Sequence, residues 1–282
     1  MPADTRFHDR DLYAGGLRLH YLDWGNDAAP PMVLLHGFSG HAHTWDAFAR
    51  AMRDQFHVLA LDQRGHGDSD WAKDGAYTVD DHAADVGALH DQLKLGPVVL
   101  VGLSMGGRNA IGYTAAHPGH VEKLVIVDIG PDIAPQGAER VRRMAADAPE
   151  EFASVDDAVA YLRKYATLTS PAAEAALRHR VEHGLRKLAS GRYTWKYDKF
   201  LRDQRRRATL PLVDLWPAVS RITVPTLIVR GADSDVFAPE TAKRMHDLIP
   251  GSRVVEIPGA GHSVPADAPE AFERAVRAFL GG

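Results

Sequence analysis

The pentapeptide Gly102-Leu103-Ser104-Met105-Gly106 limits more than any other segment what this chain can fold into. An apolar run, Val98 to Val101, leads into it and a stretch of helical composition follows, so the segment reads strand, sharp turn, helix. A serine in such a turn takes a strained backbone conformation that lifts its hydroxyl clear of the sheet, and glycines two residues before and after it leave room for the neighbouring strand and helix. The hydroxyl stays protonated at neutral pH, so it becomes a nucleophile only with a base beside it. The pattern is short enough to arise by chance, and its context has to carry the reading.

That context lies on both sides. Upstream, Met32-Val33-Leu34-Leu35 is an apolar strand running into the glycine-bearing loop His36-Gly37-Phe38-Ser39-Gly40, which suits a backbone N–H aimed at a developing oxyanion. The expected donors are the N–H groups of Phe38 and Met105. Downstream, the strand Thr226 to Arg230 ends in Gly231-Ala232-Asp233-Ser234-Asp235, and Arg253 to Ile257 ends in Pro258-Gly259-Ala260-Gly261-His262. The order Ser, Asp, His is thereby filled. With Leu61-Asp62-Gln63-Arg64-Gly65-His66-Gly67-Asp68-Ser69 as a further motif, the chain resembles the α/β-hydrolase family over nearly its whole length. The resemblance implies an α/β fold with a mostly parallel eight-stranded sheet, helices on both faces and an inserted helical cap.

The reading of the chain agrees with that architecture. Gly15-Gly16 between two strand-like patches predicts an antiparallel hairpin from Leu12 to Trp24. Strands at 32–36, 56–61, 98–101 and 123–128 alternate with helical stretches such as Asp80 to Leu95, the pattern of parallel βαβ units. From 131 to 217 strand-like runs disappear, and helices are predicted over 155–168 and 171–188. The expected division is a core of residues 1–130 and 218–282 and a helical cap of residues 131–217 that roofs the active site.

Composition narrows the chemistry. With 282 residues, 45% hydrophobic and 25% charged, the chain has the make-up of a globular protein with one large core. A formal charge of −4 argues against a nucleic-acid or anionic-membrane partner. The absence of cysteine excludes disulfides, thiolate nucleophiles and cysteine metal sites. Met1 to Arg6 lacks the basic start and apolar run of a secretory signal, so the expected location is cytoplasmic.

For the base, His262 is the expected residue, because it follows the last strand and an imidazole both takes and returns a proton near neutrality. For the acid, Asp235 is expected, since Arg-Gly-Ala-Asp-Ser-Asp resembles relatives in which the final Asp carries that role. Asp128, at the end of the strand before the cap, is the alternative. Some family members take their acid from that place, and Gly107-Arg108-Asn109 is similar to an amide-hydrolysing branch that does so. Trp195 and Tyr197 are candidate substrate contacts in the cap, with packing as the competing reading. His41 and His43 have no carboxylate-bearing zinc motif such as His-Glu-x-x-His beside them, and no metal or cofactor is expected. The expected activity is hydrolysis of a carboxylic ester of a small or medium acid through an acyl-enzyme. Alternatives on the same triad are amide hydrolysis, carbon–carbon cleavage of a diketone, and perhydrolase or haloperoxidase-like chemistry.

Overall fold

The structure, a computed structural model, describes residues 7–73, 75–166, 171–211 and 213–281. Met1 to Arg6, on which the expectation about a leader rests, and the predicted helix end at Leu168 lie outside the described residues. In chain order the strands are β1 (His8–Ala14), β2 (Leu17–Asp23), β3 (Pro31–Leu35), β4 (His57–Leu61), β5 (Val98–Leu103), β6 (Val121–Val127), β7 (Glu151–Phe152), β8 (Leu185–Lys187), β9 (Tyr193–Trp195), β10 (Thr226–Gly231) and β11 (Arg253–Ile257). Eight of them form one sheet in the order β1-β2-β4-β3-β5-β6-β10-β11. Every neighbouring pair is parallel from β4 to β11, while β2 runs antiparallel to both β1 and β4.

The central strands are apolar on both faces because both faces are covered. Side chains alternate across a strand. Val33, Leu35, Leu59, Leu61, Leu100 and Ile126 therefore meet Leu89, Ile111 and Tyr113 of helices Val79–Gln92 and Met105–Ala116. Their neighbours Met32, Leu34, Val58, Ala60, Val99 and Val127 meet Trp45, Phe48, Phe272 and Phe279 on the other side. Helix Val79–Gln92 starts at a capping box in which Thr78 accepts from the Asp81 N–H and Asp81 accepts from the Thr78 N–H.

The path of the chain decides where a site can form. From β3 it passes to β4 on one side and then to β5 on the other, so the loops leaving β3 and β5 part at a topological switch point. Leu35 pairs with Gly102, and this register sets His36-Gly37 beside Leu103-Ser104.

The segment 131–217 differs from the all-helical expectation. It carries helices Pro135–Ala146, Val155–Arg163 and Pro171–Gly184, but also a three-stranded antiparallel sheet in the order β7-β9-β8. The helix predicted to reach residue 188 stops at Gly184, and Leu185–Lys187 pairs with Tyr193–Trp195 instead. Strands of two or three residues are too short to show alternation, and only pairing reveals them. Phe152, Tyr161, Leu177, Trp195 and Tyr197 of this segment form a further apolar cluster together with Ala72 and Tyr77.

Candidate active site

Ser104 sits between β5 and helix Met105–Ala116 with φ 54° and ψ −119°, a conformation that side chains other than glycine rarely adopt. The turn closes only because its flanking residues lack a side chain. A Cβ on Gly102 would lie 2.4 Å from the Gly106 carbonyl oxygen, and one on Gly106 would lie 2.3 Å from that of Leu35. The Ser104 N–H donates to the Val127 carbonyl (3.0 Å), which ties the elbow to the end of β6.

The imidazole of His262 accepts from Ser104 Oγ at Nε2 (2.9 Å) and donates from Nδ1 to Asp128 Oδ2 (2.8 Å). The carboxylate that meets His262 is therefore Asp128, which corrects the placement expected for Asp235. Asp128 follows β6 at φ 50° and is fully buried. Its Oδ1 accepts from the Gly231 N–H (2.8 Å), and its Oδ2 also accepts from Ser234 Oγ (2.5 Å). Asp235 points elsewhere. It accepts two bonds from the guanidinium of Arg140, 2.7 Å from Nε and 2.8 Å from Nη2, and this pairing holds its carboxyl below the usual carboxylate range. The physical reason is position: Asp128 ends a strand lying between β5 and β10, whereas Asp235 comes four residues after β10 and turns toward the helix Pro135–Ala146. In Ser234-Asp235 it is the serine that touches the acid at the site.

The loop carrying His262 is pinned by Asp267, whose Oδ2 accepts from the Gly261 N–H (2.9 Å). Burial pushes the Asp267 carboxyl up to about 6, against the backbone donor and the nearby imidazole that favour its charge. On the opposite side, His36 is fully buried and shapes the loop after β3. The Gln63 N–H donates to its Nε2 (3.1 Å), so the ring proton is on Nδ1 and donates to the Gly37 carbonyl (2.8 Å). Burial, reinforced by the neighbouring His66, drops the His36 pKa to about 3, so the ring is neutral. Gln63 Nε2 donates to the His36 carbonyl (2.7 Å) and its Oε1 accepts from Asn109 (2.7 Å), which links the loop to the helix behind the serine. A Cβ on Gly37 would come 3.2 Å from the Cβ of Ser104, so the loop lies directly against that serine. Met105 opens the helix after the elbow, where the first N–H groups have no partner within the helix.

Trp195 and Tyr197 are equally buried but have different neighbours. Trp195 is 4% exposed, its Nε1 donates to the Pro149 carbonyl (2.9 Å), and it stands edge-on to Phe152. Tyr197 stands edge-on to Phe38 in the loop after β3, with ring centroids 5.7 Å apart, and stacks on His66. Trp195→Ala is expected to cost about 3–5 kcal/mol of stability in urea unfolding, and to leave the kcat/KM ratio between short and long acyl esters within about twofold. Tyr197→Ala should change that ratio by ~10-fold or more. A uniform slowing by Tyr197→Ala would show that this ring only packs.

Residues not singled out from sequence also converge here. Arg180, on helix Pro171–Gly184, donates to Ser39 Oγ (2.8 Å) in the loop after β3. Burial lowers its pKa, and Arg140 adds to that. Among the described residues no carboxylate is ion-paired with it. Ser234, Arg140, Asp267 and Arg180 are distant from the serine in sequence, and no local pattern marks them.

Residues 30–269 match the alpha/beta hydrolase fold, and the chain belongs to that family of enzymes. It is similar to 2-(acetamidomethylene)succinate hydrolase of Mesorhizobium japonicum, at 30% identity over 99% of this chain and 97% of that protein. The crystal structure of E-2-(acetamidomethylene)succinate hydrolase superposes with a TM-score of 0.88 at 29% identity, covering 98% of this chain and 100% of that one. Esterase Rv0045c of Mycobacterium tuberculosis is 31% identical over 92% of this chain and 85% of its own length. A non-heme chloroperoxidase of Streptomyces lividans is 28% identical over 94% of this chain and 96% of its own. No helix among the described residues is long and apolar enough to cross a membrane.

Proposed function

We propose that the protein is a serine hydrolase cleaving a carboxylic ester of a small or medium acid without a cofactor, with Ser104, His262 and Asp128 as its triad. The observation that supports this most strongly is the unbroken line of hydrogen bonds from Asp128 through His262 to Ser104 at the switch point of the sheet. Ser104 Oγ attacks the acyl carbon while His262 Nε2 takes its proton, and the N–H groups of Phe38 and Met105 receive the oxyanion. His262 then passes the proton to the leaving alkoxide. Water, deprotonated by the same nitrogen, releases the acid from Ser104. Asp128 orients the imidazole and stabilises its cation without taking the proton. Residues 131–217 act as the cap over a core of residues 1–130 and 218–282, and set which acyl group enters.

A fluorophosphonate tests the nucleophile, because only an activated hydroxyl beside oxyanion donors reacts readily with it. Intact mass and peptide mapping should show one adduct, on Ser104. Labelling of another serine, or ester turnover retained in Ser104→Ala, would overturn the assignment.

A second reading, hydrolysis of an amide in an acidic substrate, is favoured by Arg180. A desolvated guanidinium with no carboxylate partner among the described residues, bonded to the loop after β3, is suited to a substrate carboxylate. A substrate panel separates the two readings: p-nitrophenyl esters of neutral acids against N-acyl amides bearing carboxylates, each with wild type and Arg180→Gln. Preference for the anionic amides, lost in the variant, would replace the ester reading.

A further inference from the structure

Beside the cap helix, away from the proposed triad, three histidines and one aspartate meet. His43 lies in the short helical turn Ala42–Trp45, just past the loop that leaves β3, and Asp46 opens the next helix. His179 and His183 are four residues apart on helix Pro171–Gly184, so they share one face of it. Asp46 Oδ2 accepts from His43 Nδ1 (3.0 Å) and from His179 Nε2 (2.9 Å). The rings of His43 and His183 stack with centroids 3.8 Å apart, and those of His179 and His183 lie 4.5 Å apart. One ligand atom from each of the four residues lies within 4.8 Å of all the others. The His43 and Asp46 side chains are only 11% and 12% exposed, whereas that of His179 is 40% exposed, which leaves a path from solvent.

We infer that His43, Asp46, His179 and His183 form a binding site for a divalent transition-metal ion of the zinc type, which clamps the cap helix to the segment that follows the loop after β3. The donor set argues for the class of ion. Three imidazoles and one carboxylate suit zinc and its neighbours, while magnesium and calcium prefer oxygen ligands throughout. The present hydrogen bonds already aim His43 Nδ1 and His179 Nε2 at the same carboxylate oxygen. An ion bound there takes the lone pairs of those two nitrogens, each ring proton being carried on the opposite nitrogen, and a small closure brings in Asp46 and His183. The two pairs are far apart in sequence, 133 residues between Asp46 and His179, so occupancy ties the cap to the core. Arg180, between the two histidines, reaches Ser39 from the same helix, so the clamp bears on the loop proposed to hold the oxyanion.

The test uses the full chain without a polyhistidine tag, stripped with chelator and titrated with Zn2+ alone by calorimetry, with the melting temperature followed in parallel. One equivalent should bind, and a roughly hundredfold excess over Kd should raise Tm by about 5 °C or more. His179→Ala and His183→Ala should each weaken binding by roughly 100-fold or more and abolish the shift in Tm. Their folding is checked by the melting curve without metal. His120→Ala serves as the control, since His90, Asp91 and His120 form a second, more exposed group that offers fewer imidazoles. Failure to bind Zn2+, binding without any rise in Tm, or a site lost with His120→Ala or His262→Ala but kept in His179→Ala, would each overturn the proposal.

Discussion

Asp128→Asn should lower kcat/KM by roughly four orders of magnitude, while Asp235→Asn should cost less than about tenfold. The contrast follows from what each carboxylate touches. Asp128 receives the Nδ1–H of His262, so its neutralisation favours the wrong ring tautomer and withdraws the charge that stabilises the imidazolium. Asp235 faces Arg140, and its loss weakens one partly buried ion pair between the loop after β10 and the helix Pro135–Ala146. Ester hydrolysis by the two purified variants, each shown to melt within a few degrees of wild type, gives the ranking. The reverse order would return the acid to Asp235 and require the loop after β10 to rearrange during catalysis.

The second large effect is the loss of stability in acid. His36, His41, His66 and His82 are buried and held neutral, burial being the main cause in each. The pKa falls to about 3 for His36 and to about 4 for His41 and His66, and lies well below the usual value for His82. An unfolded chain takes up a proton on each of these below pH ~6.5, and the native state does not follow until far lower, so acid favours unfolding across that window. Each such group contributes about 1.4 kcal/mol per pH unit. Asp267 opposes them, because its carboxyl, raised to about 6, binds a proton in the native state before the unfolded one does. His20 and His57 have raised values, so the stability they add is complete below the unfolded histidine pKa and does not alter the slope there. Four rings against one carboxyl leave a net uptake of about three protons, which predicts that stability falls by about 4 kcal/mol per pH unit between pH ~6 and ~4.5. That range of loss rivals the ~5–15 kcal/mol that holds a typical domain together. Urea midpoints measured at successive pH values check the slope. A midpoint that stays constant or rises toward pH ~4.5 would show that the four rings charge without penalty.

The elbow was the most legible feature, because its constraints are local. Two glycines, an apolar strand and a helix within about twenty residues specify the strained serine wherever the rest of the chain goes. The strands were legible for a related reason: an apolar run such as Val98 to Val101 has to be covered on both faces. At the helix Val79–Gln92 the boundaries shifted by one and three residues, because the Thr78 cap and the chain beyond Gln92 decide the ends. The sheet β7-β9-β8 was not legible, since each strand is too short to carry a period and exists only through its partners.

Sequence by itself determined the residue types of the site, the position of Ser104 on its turn, the place of His262 after the last strand, and the α/β order of elements. Tertiary structure alone decided which aspartate the imidazole meets. Asp128 and Asp235 both follow strands, and both stand between Ser104 and His262 in chain order, so local pattern weighs them only by resemblance. What separates them is the strand order β5-β6-β10, which buries the end of β6 beside the elbow and leaves Asp235 to Arg140 of the helix Pro135–Ala146. The group of His43, Asp46, His179 and His183 is of the same kind. Its halves are an i,i+3 pair across the turn Ala42–Trp45 and the helix after it and an i,i+4 pair on helix Pro171–Gly184, and they face each other only because that helix packs across the turn.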